Sequence, residues 1–221
     1  MLIEFSKCNR IIQACHGRGI ESVLHVGAHT GEEAAQYSAD GVKRVIWFEA
    51  NKELLPALQD NIRNYAMEQT IVPCALWDKN ETLNFNVTNN FQSSSFFDLQ
   101  THARHYPDIV VTSKKQVRAF RLESLIEAKP CRLPFTDFGF INIDTQGAEL
   151  AVLKGMGRHL SEPSIKGIYL EVNHEPLYKG IPLIPDIDDS LYEFDFMRVV
   201  TRWTKAGWGD AFYLKTIDER S

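Results

Sequence analysis

The sequence predicts an α/β fold: a seven-stranded, mainly parallel sheet with helices on both faces and an antiparallel hairpin at its C-terminal end. Three observations lead there. Short apolar runs rich in β-branched residues alternate with stretches of helical periodicity, the pattern of a parallel sheet covered on both faces. The last two runs flank a glycine-containing turn, as the strands of a hairpin do. The composition, 44% hydrophobic and 24% charged over 221 residues, is that of one soluble globular domain, residues 1–221, long enough to bury a full core.

The first strand reads from Ser22 to Val26 and stops at Gly27, with a helix from about Gly31 to Ala39. Val45 to Glu49 forms the second strand. Leu54, Leu55, Leu58 and Ile62 then recur at helical spacing through about residue 64. Ile71-Val72-Pro73-Cys74-Ala75 reads as a third strand, whose proline places it at a strand start or a sheet edge. Residues 76–121 interrupt the rhythm with one added strand, Thr82 to Val87. The polar tract Asn89 to Ser95 and the aromatic, basic stretch to Tyr106 read as a long loop, of the kind that usually lines a site. Phe138 to Ile143, a helix from Ala148 to about Met156, and Ile165 to Val172 restore the alternation. Met197 to Trp203 and Ala211 to Lys215 form the closing hairpin. The acidic run Asp186, Asp188, Asp189, Glu193 and Asp195 reads as a solvated helix face.

Several classes are excluded. A net charge of −5 argues against a nucleic-acid or anionic-membrane surface as the main partner. No apolar run approaches the length of a membrane span, and no signal peptide is visible, so the expected location is cytoplasmic. Cys8, Cys15, Cys74 and Cys131 form no C-x-x-C pair or zinc spacing and read as reduced thiols. The acceptor patterns at Asn80 and Asn86 read as chance matches in a chain with no secretory signal.

The chemistry gathers where strands meet helices. Gly27-Ala28-His29-Thr30-Gly31 joins the first strand to the first helix, where a tight turn lets backbone N–H groups approach a ligand. It is neither the G-x-G-x-x-G dinucleotide fingerprint, because His29 stands where the second glycine belongs, nor a P-loop. Glu49 ends the second strand and can accept hydrogen bonds from both ribose hydroxyls of a nucleoside. Asp144 ends the fourth strand and Glu171 lies near the end of the fifth. Three parallel strands thus deliver acids to one edge, beside the glycine loop, in the crevice where open α/β sheets bind ligands.

Val26-Gly27-Ala28-His29-Thr30-Gly31, Trp47-Phe48-Glu49-Ala50-Asn51 and the long block from Asn142 through Asp144-Thr145-Gln146-Gly147-Ala148-Glu149-Leu150 to Gly155 resemble the FkbM-type methyltransferases. Leu170-Glu171-Val172 and Trp208 to Tyr213 also look like that family, and the likeness runs from about residue 22 to 215. It implies the Rossmann-like class I methyltransferase fold and the cofactor S-adenosyl-L-methionine. It also implies a set of contacts: Gly27, Ala28, His29 and Gly31 around the methionine part, Glu49 on the ribose, Ala50 beside the adenosine, Ala75 and Leu76 at the adenine, and Asp144 near the methyl donor. One departure stands out. The family usually carries an acid where this chain has His25, so the contact to the methionine ammonium must come from elsewhere or be lost.

The expected reaction is O-methylation of a small-molecule or carbohydrate acceptor: a hydroxyl on a sugar, glycan precursor or other small metabolite. Such a hydroxyl needs a general base. His174 is the preferred residue, with Asp144 and Glu171 beside it and His102 and His105 as further candidates. A divalent metal held by Asp144, Glu149 and Glu171 is the competing device, although no metal is assigned. Phe91, Phe96, Phe97 and Tyr106 offer flat apolar surface to the acceptor, Arg104, His102 and His105 are candidates to engage its hydroxyls or phosphate, and Tyr178, Trp203 and Trp208 are candidate walls. N-methylation of an amino sugar or amino acid, a nucleoside-binding module without catalysis, and a nicotinamide oxidoreductase are the alternatives.

Overall fold

The structure, a computed structural model, describes residues 1–129 and 132–216; Cys131, read above as a reduced thiol, lies outside them. Its large sheet has seven strands in the order β3-β2-β1-β7-β8-β10-β9. β1 (Ser22–Val26), β2 (Arg44–Phe48), β3 (Glu68–Val72), β7 (Phe140–Ile143) and β8 (Gly167–Asn173) run parallel. β10 (Trp208–Lys215) lies antiparallel between β8 and β9 (Phe196–Trp203). The chain builds outward from β1 to β3 and then returns to the other side of β1. The C-terminal ends of β1 and β7 therefore flank a topological switch point, which is where a crevice opens in such sheets.

Every residue of β1, β7 and β8 is buried, because helices cover both faces. The two-residue pleat sorts their side chains. Leu24, Val26, Ile46, Phe48, Ile141, Ile143 and Leu170 pack on one face with α5 (Leu122–Ile126), α6 (Glu149–Met156) and α7 (Ile184–Tyr192). Val23, Val45, Trp47, Phe140, Tyr169 and Phe212 pack on the other with α1 (Phe5–His16), α2 (Ala34–Ala39) and α3 (Leu55–Ile62). α1 precedes the part of the chain to which the sequence reading gave structure. Phe5, Cys8 and Ile12 make its buried stripe, and Gly17 ends it in the left-handed region at φ 76°.

The middle of the chain departs most from expectation. The predicted strand Ile71 to Ala75 is two strands: β3 ends at Val72, the edge of the large sheet, and Ala75–Leu76 (β4) joins a second sheet of order β4-β6-β5. Pro73, with no N–H to give a ladder, sits at the break. β5 (Glu81–Thr88) is the added strand expected there, whereas β6 (Val111–Phe120) falls in a tract left without structure by the sequence pattern. Most β6 side chains face solvent, so no apolar alternation betrays it. β10 also starts earlier than expected, at Trp208, because Gly209 lets the strand pass close to the Arg202 carbonyl of β9. The acidic run is more than a solvated face. Asp186 accepts the Leu183 N–H at the start of α7 (2.8 Å), and Asp188 pairs with Arg198 in two bonds of 2.9 and 3.0 Å. Asn86 is buried, its amide donating to the Phe97 carbonyl (3.0 Å), so it offers no glycan attachment point. Among the described residues no helix is long and apolar enough to cross a membrane.

Candidate active site

The pleat that sorts the core also builds the site. Trp47, His25, Asn142 and Tyr169 lie side by side in register across β2, β1, β7 and β8. Two residues further along each strand, on the same face, come Glu49, Gly27, Asp144 and Glu171, while Asp210 of β10 pairs in register with Glu171. All five line one cavity of about 570 Å³. It also takes in Ala28, His29, Ala50, Ala75 and Leu76. The sequence expectation therefore converges on a single place.

Two predicted residues lie elsewhere. Gly31 is outside the lining: its φ of 74° and the approach of Leu58 and Ile62, each 2.8 Å from where a Cβ would stand, show a glycine that lets the loop pack on α3. His174 is exposed, outside the lining, with its ring edge-on to Trp203 (4.9 Å between centroids). The chain turns away from the crevice after Asn173, so the general base preferred from sequence does not face the reaction space. Of the residues expected to contact the acceptor, Phe91, Phe96, His102, Tyr106 and Trp208 line the cavity; Phe97, Arg104, His105, Tyr178 and Trp203 do not, so the basic side chain expected to engage a phosphate, Arg104, lies outside it.

The glycine loop is held by its neighbours. The Gly27 and Ala28 N–H groups both donate to the Phe48 carbonyl (2.9 Å each), and a Cβ on Gly27 would lie 1.8 Å from the Asp144 carbonyl oxygen. Glu49 spans the turn: Oε2 accepts the His29 N–H (2.7 Å) and Oε1 the Asn51 N–H (2.6 Å). Burial pushes its carboxyl up, against the pull of those N–H groups. His29 adopts φ 47°, and its ring is raised above the ordinary histidine value by the Glu32 carboxylate 2.8 Å away.

Gln146 is the hub of the floor, a role its place in the sequence did not disclose. It sits at φ 54°, unusual for a residue with a side chain. Its amide nitrogen donates to Asp144 Oδ1 (2.8 Å) and Glu171 Oε2 (2.9 Å), and its oxygen accepts from the Tyr178 hydroxyl (2.7 Å). Asp144 is reached by solvent through the cleft yet crowded by protein on its other sides. That crowding, reinforced by the charges of Asp210 and Glu149, raises its carboxyl above the usual range. Burial, then the charges of Asp144, Glu149 and Asp210, raise Glu171 as well. Glu149 does something different. Its Oε1 accepts the N–H groups of Thr145 (2.9 Å) and Gly147 (3.2 Å) and the Thr145 hydroxyl (3.0 Å), bracing the turn before α6. The described residues contain no group of three or more ligands arranged to hold a metal ion.

His25 is buried among Tyr37, Trp47 and Glu33. The Tyr37 hydroxyl lies 3.0 Å from its Nδ1 and accepts from the Asn142 amide (2.8 Å). Glu33 and Asp210, two acids not singled out from sequence, line the same cavity. Three buried side-chain atoms of the lining have no partner within the protein: Asn51 Nδ2, Asn142 Oδ1 and His102 Nδ1. Buried polar groups are nearly always satisfied, so three unpartnered polar atoms on residues that line one cavity mark a site made for a polar ligand.

The fold is shared with solved methyltransferase structures. It is similar to M. capricolum TrmK in complex with the natural cofactor product S-adenosyl-homocysteine (8% identity, covering 99% of this chain and 74% of that chain, TM-score 0.52). It is also similar to ribosomal protein L11 methylase from Lactobacillus delbrueckii subsp. bulgaricus (13%, 96% and 78%, 0.51) and to magnesium protoporphyrin IX methyltransferase from Synechocystis PCC 6803 with bound SAM (9%, 96% and 79%, 0.50). At these identities the likeness is one of fold. No curated protein matches the sequence. The methyltransferase FkbM domain matches residues 25–198, most of the chain, including the glycine loop, Glu49, Asp144 and Glu171. The chain belongs to the FkbM methyltransferase family.

Proposed function

We propose that this protein transfers the methyl group of S-adenosylmethionine to a hydroxyl of a sugar, glycan precursor or other small, unphosphorylated metabolite. The observation that carries the reading is the double character of one cavity's lining: strand-end acids and the glycine loop together with the aromatic residues Phe85, Phe91, Phe96, Tyr106 and Trp208. We assign the first set to the cofactor half and the second to the acceptor half. The residues of the first half fit the cofactor. Glu49, fixed by two backbone N–H groups, keeps lone pairs for both ribose hydroxyls, and Asn51 Nδ2 is a free donor beside it. Gly27, Ala28 and His29 take the methionine part, with Ala50, Ala75 and Leu76 around the adenosine. Asn142 Oδ1, with Asp144, Glu33 and Asp210 close by, supplies the ammonium contact that His25 cannot. The bound sulfonium supplies an electrophilic methyl carbon and a neutral leaving group. Asp144 and Glu171, tied together through Gln146, set the negative potential where that carbon sits and orient the acceptor.

No lysine or arginine lines the cavity among the described residues, while six carboxylates do. A phosphate there meets like charge, which costs several kcal/mol in a confined site. Methyl transfer from labelled S-adenosylmethionine to a panel of sugars, amino sugars and their phosphates tests this. We expect each free sugar to be a better acceptor than its phosphate by at least about tenfold in kcat/KM, since 1.4 kcal/mol is already a factor of ten. Phosphates that are the better acceptors would contradict the reading. The same acid excess favours a second reading, N-methylation of an amino sugar, and amino sugars outrunning neutral ones in the panel would select it.

The floor also sets a pH dependence. Asp144 and Glu171 are raised, so their contribution to ligand-free stability is fully present below the ordinary carboxylate range and is lost as pH rises through the raised values. A cation in the cleft reverses that penalty, because it favours the ionised acids. S-Adenosylmethionine carries one more positive charge than S-adenosylhomocysteine. Its affinity is expected to fall more steeply as pH drops from neutral into the mildly acid range, read by calorimetric titration at several pH values. Equal slopes for the two ligands would rule out an ionised floor beneath the sulfonium.

A further inference from the structure

We propose that His102 Nδ1 accepts the proton of the acceptor hydroxyl. This rests on the methyl-transfer reading above and adds the residue that reading lacks. His102 opens α4 (His102–His105), in the segment between the two strands β5 and β6 of the small sheet, and is 3% exposed. Its ring is fixed on several sides. Nε2 lies 3.2 Å from Ser93 Oγ, the ring packs against Tyr106 (4.9 Å) and Tyr178 (5.4 Å), and its backbone N–H donates to the Leu177 carbonyl (3.1 Å). Nδ1 is buried and has no partner within the protein, and His102 belongs to the lining of the cavity.

The other titratable candidates are engaged or misplaced. His105 is paired with Glu175 (2.9 Å), His29 with Glu32, and His25 with Tyr37 beneath the glycine loop, while His174 faces away. The carboxylates Asp144 and Glu171 are occupied with Gln146. A hydrogen-bonded path joins that floor to His102: Gln146 Oε1 accepts from the Tyr178 hydroxyl, which also lies 3.3 Å from the Ser93 carbonyl, and the Ser93 hydroxyl meets His102 Nε2. The ring is thus held at a set distance from the cofactor half.

The role requires the tautomer in which Nε2 donates to Ser93 Oγ and Nδ1 carries the lone pair. Burial, and after it the neighbouring His105 charge, hold the ring below the ordinary histidine value, so it is neutral at neutral pH. His105 of α4, Tyr106 just after it and Tyr178 from the segment after β8 are the titratable groups around it, and Glu175 pairs with His105. In the step, the acceptor oxygen forms the bond to the methyl carbon, the carbon–sulfur electron pair leaves with sulfur, and the hydroxyl proton passes to Nδ1.

Two measurements on the full chain test this. In protein carrying isotope-labelled histidine with S-adenosylhomocysteine bound, the His102 ring is expected to be neutral and protonated on Nε2 at neutral pH. A ring protonated on Nδ1, or cationic, overturns the proposal whatever the acceptor proves to be. In the sugar panel, His102→Gln is expected to bind S-adenosylhomocysteine as the wild type does and to lose about 100-fold or more in kcat. Added imidazole should restore turnover to His102→Ala, an effect that a merely structural ring would not produce. Unchanged kcat in His102→Gln, or no imidazole rescue, would overturn the role of His102 alone. A wild type that fails to bind S-adenosylhomocysteine would overturn the methyl-transfer reading and the proposal with it.

Discussion

Glu49→Ala is expected to weaken S-adenosylhomocysteine binding by about 10- to 100-fold, the value of losing hydrogen bonds to a charged acceptor. The substitution has two separable consequences. It removes the acceptor for the ribose hydroxyls, and it strands the His29 and Asn51 N–H groups, which Glu49 now satisfies at 2.7 and 2.6 Å. An unsatisfied buried donor costs roughly 1–3 kcal/mol, so the ligand-free melting temperature should fall by several degrees as well. Glu49→Gln separates the two effects. Its carbonyl oxygen can serve one of the N–H groups while its amide faces the other, so both binding and stability should lie between those of Glu49→Ala and the wild type. Undiminished binding by Glu49→Ala would place the ribose elsewhere.

Gly27→Ala should have the largest effect on the fold. Two costs coincide there. The backbone at φ 85° lies in the left-handed region, where a side chain costs about 1–3 kcal/mol. The new methyl would also stand 1.8 Å from the Asp144 carbonyl oxygen, so β1 and β7 must separate at the point where the site is built. Together these exceed about 4 kcal/mol, a loss of about ten degrees or more in melting temperature for a chain of this size. Gly41→Ala is the control: its φ is 82°, but no atom lies within 4 Å of the added Cβ. It should lose only the conformational part, a few degrees. Equal losses from the two substitutions would mean that backbone conformation, and not the strand contact, makes Gly27 necessary.

The residues that make the cleft were legible in the sequence because they sit on the most regular part of the fold. Parallel strands buried on both faces read as continuous apolar runs, and what ends such a run stands at the sheet edge; Glu49, Asp144 and Glu171 were found that way. The acids Glu33 and Asp210 were not. Glu33 precedes a short helix whose pattern is weak, and Asp210 lies in the part of β10 that looked like a turn because of Gly207 and Gly209. Gln146 was visible as a letter but not as a hub, since its reach to Asp144, Glu171 and Tyr178 depends on a positive φ that no pattern announces. His174 is the preferred base on chemistry, because a histidine suits proton removal at neutral pH, and it stands just past a strand end. The pleat and the turn after Asn173 decide where such a side chain points, and they carry it out of the cleft. β6 escaped notice for a different reason: a strand exposed along most of its length has no apolar periodicity to read.

The central claim is that the glycine loop and the strand-end acids form a binding site for S-adenosylmethionine. Calorimetric titration of the wild-type protein with S-adenosylmethionine and S-adenosylhomocysteine, with NAD and ATP as controls, tests it most directly. The account predicts one site per chain, micromolar affinity for both sulfur compounds, and no comparable binding of either control. No binding of S-adenosylmethionine or S-adenosylhomocysteine, or tighter binding of NAD, would contradict it.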